Sequence, residues 1–239
     1  KNSAIAVSGV YQGRVFTSTA NGLEGKSFGY INWKLFDNKS YETNLSKLGG
    51  ESRMWFGPEF GKYSIFFDEG VERDVENMKI SPELNTKKFE LIEQDSLSIV
   101  YGSNMNIRNT YGTIFNINAK RKLALLTAHD IESDLGITLN DKTAYVGFSA
   151  ETTIKNLGKK WQKENGLLAI WDLGCMLTSP DTRAIIPLKK QVDSLTAYFT
   201  PVTPDRLVIK DAIAFYKADA MGLNKIGVKS HLSRNMMGS

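Results

Sequence analysis

Cysteine and histidine are nearly absent from this chain. Cys175 is the single cysteine, and His129 and His231 are the two histidines among 239 residues. One cysteine excludes an intramolecular disulfide. One thiol and two imidazoles far apart in sequence supply too few ligands for a structural zinc site, so neither a metal nor a cofactor is expected. Cys175 lies within the apolar run 167–177, where a buried free thiol is expected. A Cys–His nucleophile pair has only these two histidines to draw on, and neither lies in a recognisable motif. Long apolar runs are missing as well. No stretch of about 18 apolar residues occurs, so no transmembrane helix is expected. The chain opens at Lys1 with neither an initiator methionine nor a signal peptide, which leaves localisation open.

Charge of one sign is also scarce. Thirty Lys and Arg are offset by 26 Asp and Glu, for a net charge of +4. The longest basic clusters are Lys120-Arg121-Lys122 and Lys159-Lys160. They read as solvated surface rather than as a nucleic-acid footprint, and no nucleic-acid partner is expected. The motifs Gly-x-Gly-x-x-Gly, Walker A, Gly-x-Ser-x-Gly and His-Glu-x-x-His do not occur. Nucleotide-dependent, serine-hydrolase and zinc-protease chemistries lose their support with them. Glycoside hydrolysis by paired carboxylates survives, because its two acids have no fixed spacing in sequence.

What the chain does contain is apolar and strand-like. Hydrophobic residues make up 41% and aromatics 10%, enough for a substantial core. Alternation and β-branched or aromatic enrichment mark strands near 4–10, 14–19, 63–67, 97–101, 111–119 and 143–150. They recur near 167–177, 184–187, 196–199, 206–210, 212–217 and 224–229, with Gly, Pro and Asn-Asp punctuation between. One short helix is expected over 128–136, with Asp130 near its start and Gly136 as its C-cap. Residues 27–37 read as either a short strand or a helical turn. This pattern predicts an all-β antiparallel sandwich, as a single domain over 1–239. The charged stretch 69–93 is expected to be a surface excursion and is the weakest point of that domain.

The segment Gly49-Gly50-Glu51-Ser52-Arg53-Met54-Trp55-Phe56-Gly57-Pro58-Glu59-Phe60-Gly61 stands out. Four glycines and a proline read as a turn-rich stretch that breaks any helix. Arg53 offers a planar fork of hydrogen bonds and Trp55 a flat apolar face, a pair that suits a polyol such as a sugar. The competing reading is a turn with Trp55 in the core and Arg53 paired to Glu51 or Glu59. Arg14 heads a strand after Gly13 and either lines a site rim or faces water. Asn32, amid aromatics, either binds a ligand hydroxyl or satisfies nearby backbone. Trp171 either lines a cleft or packs in the core, with Asp172 bonded locally. Lys217 and Asp219 share a strand face, as a salt bridge or as proton-transfer groups, and Arg206 or Lys225 is placed to join either arrangement.

These residues carry a resemblance. Gly13-Arg14-Val15 with Thr17-Ser18-Thr19, Gly29-Tyr30-Ile31-Asn32, and Gly49-Gly50-Glu51 with Arg53, Trp55 and Gly57-Pro58-Glu59 occur in order. They are followed by Gly166-Leu167-Leu168, Ile170-Trp171, Leu173-Gly174, Tyr198-Phe199, Pro204-Asp205-Arg206-Leu207 and Lys225-Ile226-Gly227. The set spans nearly the whole chain. It resembles an uncharacterised bacterial family, common in polysaccharide-degrading gut bacteria, with a galactose-mutarotase-like (aldose 1-epimerase-like) β-supersandwich. The family pattern continues past a Gly-Ser step like Gly238-Ser239, so the resemblance implies a chain cut short at its C-terminus.

The resemblance implies a concave sheet face that holds a sugar or glycan, and a periplasmic or secreted protein. Arg14, Asn32, Arg53, Trp55, Trp171 and Lys217 are the expected ligand-binding residues. Aldose epimerases use a histidine acid and a glutamate base. No His-Gly motif of that type is present here, and His129 falls in the expected surface helix. Glu59 and Asp219 are therefore the candidate catalytic carboxylates, without a matching acid. Three functions stay open: a carbohydrate-active enzyme, a non-catalytic carbohydrate-binding protein, and a structural module. An enzyme needs two titratable groups converging in one cleft. A binding module needs the arginine and aromatic in a concave site. A structural module buries Trp55 and saturates Arg53 with carbonyls. Oligomeric state is not legible.

Overall fold

A computed structural model of the protein describes residues 3–38, 49–74, 76–198, 200–222 and 224–239. Its strands in chain order are β1 (Ala4–Ser8), β2 (Arg14–Thr19), β3 (Gly50–Gly57), β4 (Glu90–Gln94), β5 (Ser98–Arg108), β6 (Ile114–Leu125) and β7 (Phe148–Asn156). They continue with β8 (Ala169–Cys175), β9 (Arg183–Pro187), β10 (Thr196–Tyr198), β11 (Leu207–Lys210), β12 (Ile213–Lys217) and β13 (Lys225–Gly227). Among the described residues, three short α-helices interrupt them: α1 (Trp33–Asn38), α2 (Pro82–Asn85) and α3 (Ala128–Leu135). The fold is all-β with antiparallel sheets. Phe199, the last residue of the strand expected near 196–199, lies outside the described residues.

The chain forms two compact units. The first comprises Lys1–Leu125 and Ala144–Met176, the second Leu126–Thr143 and Leu177–Ser239. The unit limits thus fall near 125, 143 and 176, not within 69–93. That charged stretch is more than a surface excursion: it supplies α2 and, at its end, strand β4. All five residues of β4 are exposed, so its apolar members Leu91 and Ile92 gave no inward face to read.

In the first unit, β1-β2-β3-β8 form one sheet and β4-β5-β6-β7 another. Strand β6 shows why the second sheet forms. Phe115, Ile117, Ala119, Arg121 and Leu123 are buried in strict alternation, with Asn116, Lys120 and Lys122 exposed between them. A pleated strand sends alternate side chains to opposite faces, so this pattern lays one apolar stripe against the core. Met105 and Ile107 of β5 join it, and Met54 and Phe56 of β3 complete the cluster from the other sheet. Each such fully buried side chain contributes roughly 1.5–3 kcal/mol.

The same alternation corrects one expectation. Arg121 does not belong to a solvated basic cluster; its side chain is fully buried, while Lys120 and Lys122 are exposed. Residues 63–67 also differ from the expected strand. They form bends and turns, although Ser64, Ile65, Phe66 and Phe67 are buried and belong to the core side of the loop.

The glycine-rich segment is a strand too. Every residue of β3, from Gly50 to Gly57, is buried. Gly49 and Gly50 have φ of +87° and +101°, and a Cβ on Gly49 would stand 2.0 Å from the Tyr30 carbonyl oxygen. Here glycine serves close backbone approach rather than a reversal. The 27–37 segment resolves into isolated bridges, Gly29 with Met176 and Ile31 with Gly49, followed by α1.

The second unit holds the three-stranded sheet β11-β12-β9 and the pair β10-β13. Helix α3 matches the expectation. Thr127 accepts from the Asp130 N–H, Asp130 accepts from the Thr127 N–H, and Gly136 closes the helix in the left-handed region at φ 68°.

Candidate functional site

Strand β3 separates two polar networks by the parity of its residues. Val15 pairs with Ser52, and Met54 pairs with Asp172, so these four side chains share one face. Arg121 reaches that face. Its Nη2 donates to Asp172 Oδ2 at 2.7 Å and to Ser52 Oγ, its Nε to the Gly13 carbonyl at 3.0 Å and its Nη1 to Thr152 Oγ1 at 3.0 Å. Every nitrogen of this buried guanidinium has an acceptor, and a carboxylate balances its charge.

The opposite face carries Arg14, Phe16 and Ser18 of β2, Glu51, Arg53 and Trp55 of β3, and Trp171, Leu173 and Cys175 of β8. The Val15–Ser52 pairing, extended one step, brings Arg14 towards Arg53, and Arg14 is near enough for its charge to repel that of Arg53. Cross-strand neighbours stand with their Cβ atoms about 4.5–5.5 Å apart, and like charges there repel. Both residues are buried, Arg14 at 0% exposure and Arg53 at 6%.

Neither arginine is neutralised by the protein among the described residues. Arg14 Nη1 donates to the Gly49 carbonyl at 3.0 Å, while its Nε and Nη2 have no hydrogen-bond partner. Arg53 Nη2 makes only long contacts, 3.4 Å to the Leu84 carbonyl and 3.5 Å to Asn85 Oδ1, and its Nε has none. The carboxylate of Glu51 lies on the same face but is taken up by Ser18. It accepts from the Ser18 N–H at 2.6 Å and from Ser18 Oγ at 2.7 Å.

Aromatic rings brace the two guanidinium groups instead. Arg53 Cζ sits 4.0 Å from the Trp55 ring centroid, and Arg14 Cζ sits 5.5 Å from that of Phe16. Such cation–π contacts offset only part of the cost of burying a charge. Burial pushes Arg14 down to about 10, with Cys175 and Tyr11 opposing the shift and Arg121 adding to it. Burial, then repulsion by Arg14, pushes Arg53 down to about 9. Both remain protonated at neutral pH.

Gln12 completes the cluster. Its Nε2 donates to the carbonyls of Asn85 at 3.2 Å and Lys87 at 2.7 Å, and its buried Oε1 has no donor. Gln12 also holds a left-handed backbone at φ 60°, a conformation uncommon outside glycine. Gln12 and Arg53 meet at Asn85, so an unused donor and an unused acceptor lie on residues that share one partner.

The sequence-predicted residues are distributed unevenly. Arg14, Arg53 and Trp55 come together, and Arg14 is buried rather than facing water. Trp55 is a core residue, 5.4 Å from Phe66 between ring centroids, and its indole N–H donates to Glu59 Oε1 at 3.1 Å. Glu59 therefore binds Trp55 and not Arg53. Trp171 pairs with Trp55 across β3 and β8 and is 39% exposed. Asn32 precedes α1, where its carbonyl accepts from the Leu35 N–H at 3.1 Å.

Lys217 and Asp219 belong to the second unit. There Arg206 donates to Asp219 from Nη2 at 2.6 Å and Nη1 at 3.4 Å, with Lys217 Nζ at 3.4 Å and the Met221 N–H at 3.1 Å. These donors, Arg206 foremost, hold the Asp219 carboxyl well below the usual carboxylate range. A carboxylate so stabilised is a weak base. That unit also has an open groove of about 420 Å³ lined by Lys190, Leu195, Lys229 and His231 among others, and none of the expected site residues lines it.

Gln12, Asn85 and Arg121 escaped the sequence reading. Only Arg121 left a signal, its place in the β6 alternation. Among the described residues, no group of three or more His, Cys, Asp or Glu is placed to hold a metal, and no helix is long and apolar enough to cross a membrane. Residues 1–239 match the model of a family described as "Family of unknown function (DUF6786)". No curated protein and no solved structure matches the chain.

Proposed function

We propose that this chain, which belongs to the DUF6786 family, binds a carbohydrate on the Arg14–Arg53 face of strands β2, β3 and β8. One observation carries the reading. Buried hydrogen-bond donors on Arg14 and Arg53 and a buried acceptor on Gln12 stand unpaired, and Arg53 and Gln12 meet at Asn85. Buried polar groups are otherwise almost always paired, and leaving them unpaired costs free energy. A sugar hydroxyl both donates and accepts, so a polyol matches a site that lacks partners of both kinds. The sequence resemblance to galactose-mutarotase-like supersandwiches points to the same ligand class and to a periplasmic or secreted location.

Binding without acid–base catalysis fits the carboxylates. Glu59 is held by the Trp55 indole, and Asp219 is held ionised by Arg206. Trp171, half-exposed beside Trp55, is the aromatic available for stacking on a sugar ring. The test is a glycan-array screen followed by calorimetry on the wild type, Arg53→Gln and Trp171→Ala. The reading expects glycan binding that both substitutions weaken. Binding that neither substitution alters would overturn it.

A further inference from the structure

We infer that the sugar carries an oxyanion, a carboxylate or a sulfate ester, and that Arg14 and Arg53 hold it jointly. The sugar part of this inference rests on the carbohydrate reading above; the anion part rests on charge alone.

The arginines of the protein supply the contrast. Arg121 and Arg206 each hold a carboxylate, at 2.7 Å and 2.6 Å. Arg14 and Arg53 are equally covered, repel each other across adjacent strands, and have no carboxylate within ion-pair distance among the described residues. A buried charge without a counter-charge is costly unless something else supplies it. The carboxylate on the same face, Glu51, is taken up by Ser18.

The geometry of the unused nitrogens narrows the partner. Nε and Nη2 form one edge of a guanidinium, and their N–H bonds run side by side. Arg14 leaves that whole edge free. Arg53 leaves Nε free and its Nη2 only loosely engaged. Such an edge matches the two oxygens of a carboxylate or sulfate, which is the pairing that distinguishes arginine from lysine. Gln12 Oε1 then accepts a neighbouring hydroxyl. The cover over this face includes α2, four residues long, whose contacts to Arg53 are the long ones, so an oxyanion replaces weak bonds with strong ones.

The test uses calorimetry at pH 7 and fixed ionic strength. The probes are oligogalacturonate and oligoglucuronate with their methyl esters, galactose 6-sulfate with galactose, and inorganic phosphate. The proteins are the wild type, Arg14→Met, Arg53→Met and the charge-preserving Arg14→Lys and Arg53→Lys. An acidic glycan is expected to bind about tenfold or more tighter than its neutral counterpart, and the Met variants to lose that preference. If a Met variant does not fold, the Lys variants decide, because they keep the charge and lose the fork. A weakening of about tenfold supports the inference, and undiminished preference overturns it. Equal affinity for acidic and neutral glycans overturns the oxyanion and leaves the carbohydrate reading standing. Arginine-dependent binding of phosphate with no glycan bound overturns the sugar and leaves the anion site. No response to any acidic probe overturns the oxyanion site, and the glycan-array screen then decides the carbohydrate reading by itself.

Discussion

Arg14 and Arg53 lie on one face of the adjacent strands β2 and β3, both buried and, among the described residues, both without a carboxylate in ion-pair reach. The arrangement is unfavourable on its own, since like charges on opposed strand positions repel and neither can reach water. The proposed binding function accounts for arginine at such a place, at a cost in stability.

Arg14→Met removes an uncompensated buried charge and keeps most of the volume, at the loss of one hydrogen bond to the Gly49 carbonyl. Urea denaturation should show stability unchanged or raised by up to about 2 kcal/mol. A loss of about 3 kcal/mol, as from breaking an internal ion pair, contradicts the unpaired state of this residue.

Arg121 should behave in the opposite way. Its guanidinium joins Gly13, Ser52, Thr152 and Asp172, linking both sheets of the first unit. Arg121→Ala is expected to cost about 3–5 kcal/mol, while Lys120→Ala and Lys122→Ala stay within about 0.5 kcal/mol. Equal effects at all three positions in chemical denaturation would refute the alternation that buries Arg121.

The two tryptophans of β3 and β8 separate packing from binding. Trp55→Ala, in the core and stacked under Arg53, should cost about 3–5 kcal/mol. Trp171→Ala, half-exposed, should cost about 1 kcal/mol and weaken glycan binding more than it weakens folding. Thermal melts and calorimetry on the same two variants decide between these outcomes.

Asp219 gives the second unit an acid limit. Its carboxyl sits below its ordinary value of 3.8, held there by Arg206 first and then by the Met221 N–H. A carboxyl depressed by folding binds fewer protons in the folded state than in the unfolded one. Its stabilising contribution is complete above the unfolded value and is lost as pH falls through the lower folded value. Melts of the wild type from pH 6 downwards should be insensitive to this group until about pH 4 and fall steadily below it. Asp219→Asn should be less stable at pH 6 and lose the part of the acid slope that this group supplies. An unchanged acid slope in Asp219→Asn would show that the ion pair does not form.

Much of the β architecture was legible, because alternation is local. The buried stripe of β6 can be read from Phe115, Ile117, Ala119 and Leu123 alone, and α3 from Asp130 and Gly136. Arg121 was missed in spite of lying in register with that stripe, since two lysines beside it suggest a solvated cluster. Strand β3 was missed for a different reason. Gly49, Gly50, Gly57 and Pro58 look like breakers, yet the glycines at its start are there because Tyr30 and Val15 carbonyls approach too closely for a Cβ. The candidate site was half legible. Composition drew attention to Arg53 and Trp55, but which acid meets which arginine depends on strand pairing between distant segments. Gln12 and Asn85 carry no compositional signal, and they become notable only where unpaired groups meet.

The most direct measurement is NMR observation of the arginine Nε–H signals during titration with an acidic oligosaccharide and, separately, with its methyl ester. Arg14 and Arg53 each carry an Nε without a partner in the free protein. These two signals are expected to shift together with the acid and to stay in place with the ester, while that of Arg121 does not move. Binding of the acid with both signals unmoved would contradict the joint oxyanion site.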